Sequence, residues 1–253
     1  MVDGKTILIT QARVGSSRLP GKVLMKIHGE ELLKIHINRV RCSTLTDEVI
    51  IATTTGEDDE KIVQLSEKWG IRYSRGSVED VLDRFYQSVK NFQPKWVVRV
   101  TSDCPLLDPK MIDAVISLAR LNDVDYAANI LDERFPDGQD VEVFKFSALE
   151  RAWREAVLKS EREHVTLYIR NHSTYKGGKL FSSVNLPCFA DFSKVRMTVD
   201  EQKDFDLVEK LIEYLGTDQD WLSYTNYIIN NGLGQMNKDI IRNEGLLRSL
   251  KND

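Results

Sequence analysis

The sequence predicts an α/β protein: a mostly parallel, Rossmann-like sheet sandwiched by helices, with a small antiparallel or mixed insertion. Three observations carry this. Short apolar runs alternate with helix-length amphipathic stretches through the first half of the chain. Several of those runs end in polar loops containing glycine, serine or aspartate. And 253 residues, 42% of them hydrophobic, suffice for one sizeable core.

Taken in order, Thr6 to Ile9 reads as a strand and Leu32 to Arg41 as the helix after it. Glu48 to Thr53 is a second strand, followed by a helix from Asp58 to Trp69 that Gly70 stops. A short strand near Ile71 to Ser74 precedes a helix whose apolar positions Val78, Val81, Leu82, Phe85, Val89 and Phe92 fall three or four apart. Trp96 to Val100 is a β-branched run suited to a central strand buried on both faces. The next helix opens on Asp108, a capping residue, with Pro109 at the one helical position where proline fits.

The second half is less regular. Asp125 to Asn129, Val141 to Phe146 and Leu180 to Val184 are expected strands of the mixed portion, with helices from Ser147 to Val157 and from Ser160 to Ile169. A last strand, Val195 to Val199, leads into a helix bearing Phe205, Val208, Leu211, Ile212 and Leu215. No repeat or linker interrupts the chain, so one domain over residues 1–253 is expected, with a substrate-side insertion at about 130–190 and a helical tail at 217–253.

Composition excludes several classes. A net charge of −4 argues against a nucleic-acid coat, which needs a broad basic surface. No apolar run approaches the roughly 18 residues of a membrane span, and the opening MVDGKTILIT lacks the basic and apolar regions of a leader; a cytoplasmic location is expected. Cys42, Cys104 and Cys188 form no C-x-x-C pair and read as free thiols. Charge is nevertheless uneven: Lys5 to Gly29 holds five Lys or Arg and no acid, a local anion-binding surface.

Three motifs could carry chemistry. Gln11-Ala12-Arg13-Val14-Gly15-Ser16-Ser17-Arg18-Leu19-Pro20-Gly21-Lys22 follows the first strand directly, at the strand end where open α/β sheets bind ligands. Gly15 and Gly21 permit close backbone approach, while Arg13, Arg18 and Lys22 supply charge-assisted donors, a combination suited to a polyphosphate. It is neither a P-loop nor a dinucleotide fingerprint, because five residues separate Gly15 from Gly21-Lys22 and Val23 replaces the metal-binding hydroxyl. A basic turn with structural glycines would look similar. Thr101-Ser102-Asp103-Cys104-Pro105 ends the predicted central strand; Asp103 can hold Mg²⁺ against a phosphate or form an Asx-turn. Asp200, after Arg196-Met197-Thr198-Val199, can complete a metal site or cap the next helix.

Together with EVIIATTT, RGSVEDVLDRFY, FPDGQDVEVF and SEREHVTLYI, these motifs resemble, in order and spacing, the acylneuraminate cytidylyltransferase family, and within it the branch of spore coat polysaccharide biosynthesis proteins. The resemblance runs from about Thr6 to Leu215. It implies a GT-A-like nucleotidyltransferase fold, a homodimer, CTP as co-substrate and Mg²⁺ or Mn²⁺ as the metal. By position it places Gln11, Ala12, Arg13, Gly15, Ser16, Arg18 and Lys22 on the nucleotide, with Thr53, Arg75, Gly76 and Ser77 framing base and ribose. It places Asp103 and Asp200 on the metal, Arg13 and Lys22 as catalytic cations, and Asp137, Gln139, Asp140, Glu142, His164 and Arg196 toward an acidic sugar or similar small acid. Gln11 and Leu167 depart from the pattern of related CMP-sugar synthetases, which carry other residues at the loop start and Pro after SEREHVT.

The implied reaction is attack by an acceptor oxygen on the α-phosphorus of CTP, which asks for positioning and charge neutralisation. A GT-A glycosyltransferase would share the sheet but bind through a D-x-D motif, and Ser102-Asp103-Cys104-Pro105 lacks the second Asp. A non-catalytic binding homologue would have little reason to keep Arg13, Lys22, Asp103 and Asp200 together.

Overall fold

The computed structural model describes residues 4–251 and 253. In chain order the strands are β1 (Thr6–Gln11), β2 (Lys26–Ile27), β3 (Glu30–Glu31), β4 (Glu48–Thr54), β5 (Arg72–Gly76), β6 (Trp96–Thr101), β7 (Tyr126–Ala128), β8 (Glu142–Lys145) and β9 (Ser183–Asn185). The α-helices are α1 (Leu32–Val40), α2 (Glu60–Trp69), α3 (Val81–Val89), α4 (Pro109–Asn122), α5 (Phe146–Glu155), α6 (Lys159–Glu163), α7 (Leu167–Asn171), α8 (Gln202–Leu215), α9 (Trp221–Asn230) and α10 (Glu244–Ser249).

Seven strands form one sheet in the order β5-β4-β1-β6-β8-β7-β9, and β2 with β3 makes a separate small hairpin. The first four strands run parallel, β8 is antiparallel to both β6 and β7, and β9 returns parallel to β7. The fold is thus a mostly parallel sheet flanked by helices, as the alternating pattern requires. β1 is an interior strand between β4 and β6, which explains why Ile7, Leu8 and Ile9 are all apolar and fully buried. Successive side chains face opposite layers: Leu8 packs with Ile37, Ile62 and Val115, whereas Ile7 and Ile9 pack with Leu82, Phe85 and Leu149.

Helix ends follow local chemistry. The Asp108 carboxylate accepts from the Lys110 amide at 2.8 Å, and α2 stops at Gly70 in the left-handed region, φ 64°. α3 begins at Val81 rather than Val78 because Asp80 caps it, accepting from the Asp83 amide at 2.9 Å; Val78 is left exposed and Phe92 lies past the helix end.

Three expectations for the second half change. The helix read over Ser160 to Ile169 is two short helices, α6 and α7, broken at the buried Val165, φ 49°. The strand near Leu180 is shifted to β9, leaving Leu180 exposed. Val195 to Val199 joins no sheet: it meets Asp137 at a single bridge, with Met197 N–H donating to the Asp137 carbonyl at 2.8 Å, and then turns to the end of β6. Its apolar residues Val195, Met197 and Val199 are buried under α8 and α9, so alternation here reports burial against helices rather than pairing with a strand. Strands β7 to β9 extend the main sheet itself. Among the described residues no helix is long and apolar enough to cross a membrane.

Candidate active site

A cleft of about 930 Å³ opens at the carboxyl ends of β1 and β6. Its floor is made by the loop after β1. Val14 N–H donates to the Asp59 carboxylate at 2.6 Å, and Gly21 N–H to the Val14 carbonyl at 2.9 Å, so the loop is folded back on itself. Gly21 takes φ 73°, which a side chain would strain, and launches the single 3₁₀ turn Lys22–Leu24 that aims Lys22 inward.

The Lys22 ammonium spends its three protons on Asp103 at 2.9 Å, Asp200 at 2.8 Å and the Val199 carbonyl at 2.8 Å. Two carboxylates 97 positions apart in sequence are therefore joined through one cation. Main-chain bonds fix the junction: the Asp103 carbonyl accepts from Val199 N–H at 2.8 Å and from the Thr198 hydroxyl at 3.1 Å. Below it, the buried His36 donates from Nδ1 to the Cys104 carbonyl at 2.9 Å and accepts the Thr10 hydroxyl on Nε2 at 3.0 Å. Burial pushes His36 down to about 4, so this prop is neutral near pH 7.

The charges hold one another. Burial alone would lower the Lys22 pKa, but Asp103 and Asp200 outweigh it and raise it. Burial would raise Asp103, yet Lys22 and the Thr101 hydroxyl hold it well below the usual carboxylate range. Asp200 meets three cations: Lys22, Arg18 at 2.8 Å and Arg196 at 2.9 Å. Asp200 does not cap α8; its own amide and that of Glu201 donate to the fully buried Asp204 carboxylate, leaving the Asp200 side chain toward the cleft.

A metal is implied by the family resemblance, and the donor set can be tested against it. Two hard carboxylates converge, which suits Mg²⁺ or Mn²⁺, ions that take one or two protein carboxylates and keep water or phosphate for the rest. No cluster of three His, Cys, Asp or Glu exists among the described residues, so an ion here would have to draw on phosphate or water as well. The residues fit on those terms, and Lys22 is the cation that the two carboxylates share in this structure.

Gln11, Ala12, Arg13, Ser16, Arg18, Lys22, Ser77, Asp103, His164 and Asp200 line the cleft. The other expected residues lie off its wall, each for a visible reason. Arg75 turns to α2, bonding Glu60 at 2.8 Å and the Thr54 carbonyl at 3.0 Å, while Thr53 is buried within β4. Gly15 belongs to the loop's outer side, and Gly76 leaves room for the stem of Arg84. Gln139 is fully buried, accepting from the Asp108 amide at 2.9 Å and donating to the Leu106 carbonyl at 3.0 Å. Glu142 is closed in by Arg99, Thr166 and Tyr126. Asp140 pairs with Arg242 at 2.8 Å, and burial raises it to about 7. Arg196 is bound by Asp137, Asp204 and Asp200, which hold its pKa up against the lowering effect of burial.

The sequence did not point to other residues of the wall. Arg84, Ser102, Arg162 and the tail residues Glu244, Arg248 and Ser249 all face the cleft. Arg18 reaches Glu244 at 3.3 Å, and the ring of His164 meets the Ser249 hydroxyl at 3.0 Å, so α10 packs over the site from the far end of the chain. The one local signal was Arg84, a charge set among the apolar positions Val81, Leu82, Phe85 and Val89 of the buried face of α3.

Comparisons with known proteins agree with this geometry. Residues 7–244 match the family model described as cytidylyltransferase. The spore coat polysaccharide biosynthesis protein SpsF of Bacillus subtilis is 35% identical over 215 residues, covering 83% of this chain and 87% of that protein. A 3-deoxy-manno-octulosonate cytidylyltransferase of Hydrogenovibrio crunogenus is 33% identical over 126 residues, 48% of this chain and 49% of its own. The solved structure of a cytidylyltransferase from Leptospira borgpetersenii superposes with a TM-score of 0.86 at 30% identity, covering 94% of this chain and 99% of that one. With a nucleotidyltransferase sheet, a cation-lined cleft at its carboxyl edge and this match along nearly the whole chain, the protein belongs to the cytidylyltransferase family and is a CTP-dependent nucleotidyltransferase.

Proposed function

We propose that the enzyme transfers CMP from CTP to an acidic sugar or a similar small acid and releases pyrophosphate, in the cytoplasm, as a step in surface polysaccharide or glycan biosynthesis. The observation that carries this reading is the convergence of Lys22 on Asp103 and Asp200 in a cleft also lined by Arg13 and Arg18. Support for an acidic acceptor comes from a relative named for an octulosonate, a sugar acid, and support for the biosynthetic setting from one named for spore coat polysaccharide.

In this reading an acceptor oxygen bonds to the α-phosphorus while the bond to the β-phosphate oxygen breaks in line. A divalent ion on Asp103 and Asp200 would supply charge neutralisation at the α-phosphate. Arg13 and Arg18 bind the phosphate chain. Since all three protons of Lys22 are engaged, it gives up a carboxylate contact when CTP binds and turns that donor toward the departing pyrophosphate. His164 contributes to the acceptor side of the cleft.

The test is an acceptor panel of acidic and neutral sugars with CTP and Mg²⁺, read as CMP-linked product by mass. A CMP ester of an acidic sugar is the expected result. Products from neutral sugars alone would overturn the acceptor assignment.

A further inference from the structure

Arg84 is a buried cation for which the fold supplies almost no partner. Its residue is only 3% exposed, yet among the described residues its side chain makes one bond, from Nη1 to the Ser77 carbonyl at 2.6 Å. Its buried Nε–H has no acceptor, and among the described residues no carboxylate bonds to it, Asp59 and Asp80 acting on it only through their field. Such an arrangement is costly unless something completes it, because a desolvated guanidinium normally takes an anion and fills its donor fork.

The surroundings indicate where the missing partner sits. Arg84 lines the same cleft as Arg13, Lys22 and Asp103. Arg13 is exposed and belongs to the loop after β1. Its positive charge reaches Arg84: burial, and then Arg13, lower the Arg84 pKa to about 10 against the weaker, opposing fields of Asp59 and Asp80. Gly76, at the end of β5, makes this placement possible, since a Cβ there would come within 3.1 Å of both Cβ and Cγ of Arg84. The protein thus keeps two guanidiniums within each other's field and leaves one of them buried and unfilled.

We propose that Arg84, together with Arg13, forms an anion subsite for the phosphate chain of the nucleoside triphosphate, and that Arg84 is a phosphate-binding residue of this enzyme. The inference rests on the CTP reading for the identity of the nucleotide, but the anion site stands on the orphaned guanidinium alone. A phosphate oxygen would fill the free N–H groups and relieve the repulsion between the two arginines, with charge-assisted bonds that neutral ligands cannot match.

The proposal separates from a structural role by a sign. If Arg84 held the fold, removing its charge would destabilise the free protein. If it awaits an anion, Arg84→Met, which keeps the stem packed over Gly76, should leave the ligand-free melting temperature unchanged or raise it. The same variant should weaken inorganic tripolyphosphate and CTP by about tenfold or more in direct titration, while cytidine, which has no phosphate, binds alike to both proteins. Arg84→Lys should recover part of the phosphate affinity, as a point charge without the fork.

Tripolyphosphate binding that is equal in the wild type and in Arg84→Met, or absent from the wild type, would overturn the proposal. So would a lower melting temperature with unchanged tripolyphosphate affinity, or a variant whose only defect is a raised KM for the acceptor. A wild-type chain that binds tripolyphosphate through Arg84 but prefers another nucleotide to CTP would instead refute the base assignment and leave this subsite in place.

Discussion

Lys22 is the residue on which the site turns. It is a buried ammonium whose cost of desolvation is offset by two carboxylates and a carbonyl, and none of the three acceptors is near it in sequence. Lys22→Met keeps the length of the side chain and removes the charge, leaving Asp103 and Asp200 facing each other. We expect a loss of stability on the order of 3 kcal/mol by urea unfolding, since breaking a largely buried pair strands the partner charge. Turnover should fall on the order of 10²-fold, with CTP affinity at saturating Mg²⁺ changed much less.

The pH dependence of that gap follows from the directions of the shifts. Asp103 is lowered, so its contribution is present above the ordinary 3.8 and is lost as pH falls through its folded value. Lys22 is raised, so its contribution is present below 10.5 and is lost as pH rises through its folded value. The stability difference between wild type and Lys22→Met should therefore be flat from about pH 5 to about pH 9 and shrink in acid. His36, lowered from 6.5 to about 4, also costs stability as pH falls through that range, but it does so in both proteins and cancels in the difference. A gap that widens in acid would contradict the assignment.

At the scale of elements, the first half of the chain was legible because each strand and helix announces itself within its own residues. Ile7 to Ile9 and Val97, Val98 and Val100 are buried runs, and Asp108 with Pro109 marks a helix start that the structure reproduces. The segment Val195 to Val199 was not legible, since its partners are Asp137 and Asp103 and no local pattern reports a single long-range bridge. Polar residues among apolar ones were ambiguous in the same way. Gln139, Glu142 and Arg196 read as substrate contacts, and burial turns each into a brace for the residues around it. The strand-end motifs fared better because the ends of parallel strands meet at one edge of the sheet.

One brace can be tested at its tightest point. Gly138 takes φ 105°, and a Cβ there would lie 2.8 Å from the Thr198 amide nitrogen and 2.9 Å from the Met197 carbonyl carbon. Those are backbone atoms of the segment that delivers Asp200, and they cannot step aside as a flexible side chain would. Gly138→Ala should lower stability by about 2 kcal/mol or more and reduce turnover beyond what the unfolded fraction explains. Chemical unfolding and kcat on the same preparation check it; a variant with wild-type stability and rate would mean that the segment is free to shift.

For the molecule as a whole, the site gathers from six stretches: the loop after β1, the segment from β5 into α3, the end of β6, α6 with the residues beside it, the turn before α8, and the tail helix α10. The tail's part in it was invisible in the sequence, because a short charged helix carries no sign of where it docks. What unites these stretches is electrostatic: Arg18, Lys22 and Arg196 surround Asp200, and Glu244 of the tail reaches the outermost of them. In the proposed reaction Asp103 and Asp200 form the fixed acidic centre of nucleotidyl transfer, and the remaining charges hold that centre or the phosphate chain.

Asp103→Asn is the cleanest probe of that centre, because the main-chain carbonyl that anchors Val199 and Thr198 is untouched by the change and only the carboxylate charge is removed. The decisive measurement is steady-state pyrophosphate release from CTP by wild type and Asp103→Asn, at saturating Mg²⁺ and acceptor, on protein shown to be folded. A fall in kcat on the order of 10²-fold or more is the result expected of a charge that acts on the reacting phosphate. A rate within a few-fold of wild type would show that Asp103 only steadies Lys22, and that nucleotidyl transfer in this enzyme has its centre elsewhere.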